Sequence, residues 1–216
     1  GWLEKSGIVK DFQREHSLSS RTWPQELWKH IQGLLKFIEP TCSTLYLDDE
    51  SPTQTAIGNL IPYMKALNAL EYHWFVTGDD DYGFSNYTPS VGPVSEWLGK
   101  LTPLQLTHLE YLSLELVGVY NPNKELSHWL KLLPNLRSLT LWNVSTLESE
   151  HATLVVIPPL ARLQQLILKS DSVAFKIPAL SGLTRLWVEV KLATKAAAWI
   201  PNLAKMTSLT QLTWKG

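Results

Sequence analysis

Apolar residues recur along this chain at offsets i, i+3, i+6 and i+8. The spacing is plainest in "LTHLEYLSLE" (106–115) and "LPNLRSLTLW" (133–142). It returns at Leu160, Leu163, Leu166 and Leu168, at Leu180, Leu183, Leu186 and Val188, and at Met206, Leu209, Leu212 and Trp214. Leu67, Leu70, His73 and Phe75 form an imperfect copy, and Cys42, Leu45 and Leu47 a weaker first one. The i+6 positions are then 45, 73, 112, 139, 166, 186 and 212, with steps of 28, 39, 27, 27, 20 and 26 residues. An amphipathic helix would repeat its apolar stripe at i, i+3, i+4 and i+7. Here the final pair is two apart, which is strand spacing. Breakers follow the first five copies: Asp48-Asp49, Gly78, Gly118, Asn143 and Asp171. The pattern predicts one short strand per unit, with i+6 and i+8 facing a core.

The motif LxxLxL, written here as "LEYLSL", "LRSLTL", "LQQLIL" and "LTRLWV", resembles that of the leucine-rich repeat family over roughly residues 30–216. The resemblance implies an α/β solenoid of about seven repeats over 39–216. Its parallel sheet would be curved, with strands on the concave side and short helices and turns on the convex side. One feature departs from the family pattern. The Asn or Cys usual at i+11 is absent, its places held by Glu50, Gly78, Val117, Val144, Asp171 and Lys191. Irregular arrays of this kind resemble those appended to F-box proteins or to nucleotide-switch immune receptors.

Outside the strands, "SEWLGKL", "SHWLKLL" and "AAWIPNL" put Trp97, Trp129 and Trp199 at one point of a recurring segment. These read as short outer helices with Trp packed between neighbours. The 20-residue unit leaves little room for a helix, so "VAFKIPALSG" is expected as a turn or extended segment. The longest unit carries "VTGDDDYGFSNYTPSVGP" (76–93), a polar insertion loop. Residues 1–38 form an N-terminal segment. In it Thr22 can cap a helix, Pro24 suits its first turn, and Trp28, Ile31, Leu34, Leu35 and Ile38 line one face. Pro24, Glu26, Leu27, Ile31 and Leu35 also resemble the opening of an F-box, although Trp23 replaces its leucine and the later helices do not follow. A capping helix is the expected role. At the other end Leu209, Leu212 and Trp214 have no such cap, so strand 209–214 is expected to be more exposed than 136–141 and open to end-on contact with more of the same chain, a symmetric copy or a different subunit.

The chain has 216 residues, 44% hydrophobic and 18% charged, with net charge −1. No Lys/Arg run stands out, which argues against a nucleic-acid surface. No apolar stretch approaches the roughly 18 residues that span a bilayer. A lone cysteine, Cys42, excludes an internal disulfide and favours a cytoplasmic or other reducing compartment. Two glycosylation sequons, at Asn86 and Asn143, would instead fit secretion. No metal-ligand cluster, glycine-rich phosphate loop or nucleophile elbow appears, so no metal, cofactor or enzymatic activity is expected. "GDDDYG" (78–83) lacks the ligand order of a calcium loop and reads as a solvated acidic turn.

The open side of the strands carries the functional signal. Positions i+5, i+7 and i+9 should face away from the core. They collect Tyr46, Tyr72, Trp74, Tyr111, Glu115, Trp142, Lys169, Arg185 and Trp187. Aromatic and Arg side chains on a rigid sheet are the residue types enriched at binding hot spots. The expected function is a non-catalytic module that holds a protein or peptide on an aromatic-rich concave face. The alternative is the substrate-recognition subunit of a ubiquitin ligase.

Overall fold

The computed structural model describes residues 17–19, 44–48, 64–75, 98–117, 119, 121–145, 153–171, 173–190 and 200–215. The expected capping helix at 22–38, the 76–93 loop, Cys42, Trp97 and Trp199 lie outside them. The chain is α/β, built on a parallel sheet with few helices. The strands are β1 (Ser17–Ser19), β2 (Thr44–Asp48), β3 (Ala69–Phe75), β4 (Tyr111–Val117), β5 (Ser138–Trp142), β6 (Thr153–Val156), β7 (Gln165–Ser170), β8 (Val173–Lys176), β9 (Arg185–Val190) and β10 (Gln211–Lys215). Eight of them form one sheet in the order β1-β2-β3-β4-β5-β7-β9-β10, every pairing parallel. β6 and β8 pair in a second, two-stranded parallel sheet. This is compatible with a solenoid. β1 adds a strand within the N-terminal segment that the apolar pattern did not mark.

Register explains the spacing. Leu70, Leu112, Leu139, Leu166 and Leu186 pair in succession as one row of buried side chains. Tyr72, Leu114, Leu141, Leu168 and Val188 form the next buried row, two residues on. Fully burying one such side chain contributes roughly 1.5–3 kcal/mol. The first half of the motif is not helical in most units. The carbonyl at i accepts the i+3 amide at 3.0–3.3 Å in Met64–Leu67, Leu133–Leu136, Leu160–Leu163, Leu180–Leu183 and Met206–Leu209. A tight turn therefore tucks both apolar ends inward and starts the strand. Pro134 and Asn135, or Ser181 and Gly182, sit in such turns. A Cβ at Gly182 would lie 3.4 Å from the Ala161 and Leu163 carbonyl oxygens, in contact with the backbone of the preceding unit.

A backbone ladder joins the units just before each strand. The Asn68 carbonyl accepts the Glu110 and Tyr111 amides, and Glu110, Arg137, Gln164 and Thr184 repeat the arrangement with the next unit, all at 2.8–3.0 Å. Each carbonyl thus uses both lone pairs, and each unit start is held in register with its neighbour.

The outer layer changes with unit length. α1 (Pro103–His108) and α2 (Pro122–Leu130) cover the middle of the sheet. Both start with proline after a capping side chain, Thr102 for α1 and Asn121 for α2. In α1 the cap is a reciprocal box with Gln105, whose amide also donates to the Met64 carbonyl at 2.8 Å. Trp129 on α2 packs partly buried against the core, as its recurring position suggested. The "VAFKIPALSG" segment is extended, as expected, and opens as β8. It pairs with β6, and Asn123 of α2 accepts the Val156 amide at 2.9 Å, which satisfies a donor on β6. The short α3 (Ile200–Leu203) completes the layer, with Asn202 donating to the Ile177 carbonyl at 2.8 Å.

Ser170 supplies a side-chain rung between neighbouring units. It is 3% exposed, its hydroxyl donates to the Val144 carbonyl of the preceding unit at 2.6 Å and accepts the Val173 amide at 2.8 Å. Among the described residues no helix is long and apolar enough to cross a membrane.

The imperfect copy at 67–75 needs correction. Pairing sets Leu70 opposite Leu112 and Tyr72 opposite Leu114, so the frame is Met64, Leu67, Leu70, Tyr72. The steps around it become 25 and 42 residues. An odd slip of three residues exchanges the two faces of a strand. Tyr72 is therefore a core residue, 1% exposed, and not part of the open face.

Candidate functional site: the open face of the sheet

The open face is built from alternate strand residues, because the intervening ones are drawn into the core. β7 and β9 show the alternation plainly: Gln165, Ile167 and Lys169, then Arg185, Trp187 and Glu189, all stay at least partly exposed. Register lines these up with Tyr111, Ser113 and Glu115 on β4, with Ser138, Thr140 and Trp142 on β5, and with Gln211, Thr213 and Lys215 on β10.

The structure brings three of the expected residues, Trp142, Lys169 and Trp187, into one cluster, joined by Glu189 and Lys215. The Lys169 ammonium sits over the rings of both Trp142 and Trp187, at 5.9 and 5.2 Å from their centroids. Lys215, from the strand on the other side of β9, lies 5.1 Å from the Trp187 centroid. Glu189 stands between the lysines, with one carboxylate oxygen 3.9 Å from each ammonium. The same oxygen accepts from the Trp187 indole N–H at 3.4 Å. Arg185, exposed at the start of β9, donates to the side-chain amide oxygen of Gln165 at 3.3 Å. Cation–π pairs at such exposure contribute about 0.5–1 kcal/mol each, and exposed ion pairs about as much or less. The cluster is therefore held by many weak contacts. Its two indoles are half-buried rather than free in solvent, with lysine stems laid across them.

Toward β4 the face is braced by polar side chains. The Trp142 indole N–H donates to the Ser113 hydroxyl at 3.2 Å. Asn143 takes a left-handed backbone, φ 50°, and its amide donates to the Glu115 carboxylate. Glu115 is only 8% exposed, so it holds the turn after β5 in place and is not an outward anchor as the sequence suggested. Tyr111 is exposed, beside the Glu110–Arg137 ion pair at 3.6 Å. It lies on the same face but at the far end of its strand from Trp142.

Of the remaining expected residues, Tyr72, Tyr111 and Glu115 stay apart from the lysine-capped indoles. Tyr72 is in the core. Tyr46 lies in β2 opposite Glu71, and Trp74 lies in β3 opposite Leu116. The side chains of Tyr46 and Trp74 lie outside those described. Glu189 and Lys215, which the spacing puts on the open face in the i+9 positions, are not among the expected binding residues. Opposite charges alternating along those positions, Lys169, Glu189 and Lys215, are the signal that could have marked them.

The C-terminal edge presents a second surface. Leu212 and Trp214 continue the two core rows, yet they are 47% and 42% exposed where Leu139 and Leu141 are fully buried. Among the described residues no three His, Cys, Asp or Glu side chains come together as metal ligands. No family model matches the chain, and neither the curated proteins nor the solved structures contain a match.

Proposed function

We propose that the chain is a leucine-rich repeat solenoid that works as a non-catalytic interaction module, and that the open face of β5, β7, β9 and β10 holds a protein or peptide partner. The observation that carries this reading is the Trp142–Lys169–Trp187–Lys215 row. Side chains from four neighbouring strands converge there on a rigid, register-locked sheet. Such preorganisation lowers the entropy lost on binding. It also gathers two Trp side chains, a residue type that dominates hot spots.

The test is affinity capture with the wild-type chain beside a Trp142→Ala/Trp187→Ala variant of equal stability. A partner retained by the first should be lost by the second, because truncating one central anchor weakens binding by about 2 kcal/mol or more. Partners captured equally by both would remove the open face from consideration.

A further inference from the structure

We infer that the partner segment recognised by this face is acidic: an extended stretch of protein whose Asp or Glu carboxylates meet Lys169, Arg185 and Lys215. This rests on the interaction-module reading and specifies its ligand. Three observations carry it.

First, the indole faces are already covered. Lys169 lies over both tryptophans and Lys215 over Trp187. The face therefore offers a visitor ammonium groups above an aromatic floor, rather than bare rings to stack on.

Second, the local charge is unbalanced. Across the nine open-face positions of β7, β9 and β10 stand three cations, Lys169, Arg185 and Lys215, and one anion, Glu189. The Glu189 carboxylate is shared between two lysines at 3.9 Å each, so neither ammonium is saturated. Asp171, exposed in the turn after β7, stands outside these nine positions.

Third, the geometry suits carboxylates. Arg185 stands on the same strand as Glu189, four residues earlier; among the described residues it makes a long contact to the Gln165 side chain, and its planar fork can take a carboxylate with two hydrogen bonds. An ammonium held against an indole sheds part of its hydration, which strengthens its pairing with an incoming anion. The Glu189 carboxylate shows the position that such an anion takes between the lysines. Three cations beside an anion on a chain of net charge −1 suit a few carboxylates better than the continuous phosphates of a nucleic acid.

The experiment selects random linear peptides displayed on phage against the wild-type chain, then measures the enriched peptides by fluorescence anisotropy on variants. Enriched peptides should be rich in Asp and Glu. Arg185→Glu or Lys215→Glu should weaken them by about tenfold or more, and raised salt should weaken them further. Glu189→Gln, which removes the internal competitor, should tighten them about fivefold. That opposite sign separates recognition from loss of folding, since a damaged variant does not bind better. Enriched peptides without an acidic excess, still lost on Trp187→Ala, would overturn the acidic inference while leaving the module reading in place. Peptides insensitive to every open-face substitution, or no enrichment at all, would overturn both. Tighter binding of oligothymidylate than of the best peptide would also overturn it, in favour of a nucleic acid.

Discussion

Leu139 and Leu212 hold the same place in the motif, i+6, and stand in the same row of the sheet, yet the row buries one and leaves the other half-exposed. Leu→Ala at each position isolates what stacking contributes. The substitution removes about three carbon groups, worth roughly 2.4 kcal/mol of transfer free energy when fully buried. Leu139 is 0% exposed and lies between Leu112 and Leu166, so a cavity term adds to this. The total for Leu139→Ala is about 3–4 kcal/mol. Leu212 is 47% exposed, which halves the transfer term, and its site opens to solvent, so no closed cavity forms. Leu212→Ala should cost about 1 kcal/mol. Urea unfolding followed by tryptophan fluorescence measures both. The dependence of stability on urea should be checked for a common slope, because stacked units can unfold piecewise. Costs equal within about 0.5 kcal/mol, or a Leu139→Ala cost under about 1 kcal/mol, would refute the argument that inward stacking of this row holds the sheet.

Ser170→Ala should cost about 1–3 kcal/mol by thermal unfolding, because it strands the buried Val144 carbonyl and Val173 amide together; a change below about 0.5 kcal/mol would mean that another group takes the rung. Asn143→Val should cost about 2 kcal/mol by the same assay, since a β-branched residue resists the left-handed backbone and the hydrogen bond to Glu115 is lost, whereas Asn143→Gly should cost less than half of that. In hydrogen exchange, the amides of β10 should exchange faster than those of β5, which lies between two strands; equal protection would show the C-terminal edge to be as well held as the interior.

The strands were legible because their signal is repeated and one-sided. Leu112, Leu139 and Leu166 each carry the same neighbours at the same offsets, and a two-residue period admits only a strand. The outer layer was less legible. β6 and β8 become strands because units of 27 and 20 residues leave different space, and each then finds its partner in the neighbouring unit, a contact that no local pattern records. The slip at 67–75 has a physical cause too. "ALEYHWF" holds apolar or aromatic residues in both alternating frames, and the hydroxyl of Tyr72 made the burying frame look like the exposed one. Met64, one turn earlier, was the residue that decided it. On the site, types were legible but not pairings. Trp142, Trp187 and Lys169 could be placed on one face from spacing alone. That the lysines lie over the indoles and share Glu189 depends on side-chain directions across strands that are distant in sequence.

We propose that the open face, and not the outer layer, meets the partner. The indole N–H signals in a proton–nitrogen correlation spectrum test this directly. Trp142 and Trp187 are assigned by Trp→Phe substitution, with Trp129 on α2 as the marker of the opposite layer. On titration with the best selected peptide, or with any captured partner, the Trp142 and Trp187 signals should shift or broaden together while Trp129 stays in place. A shift at Trp129 with Trp142 and Trp187 unmoved would contradict the claim and move the binding surface to the other side of the sheet.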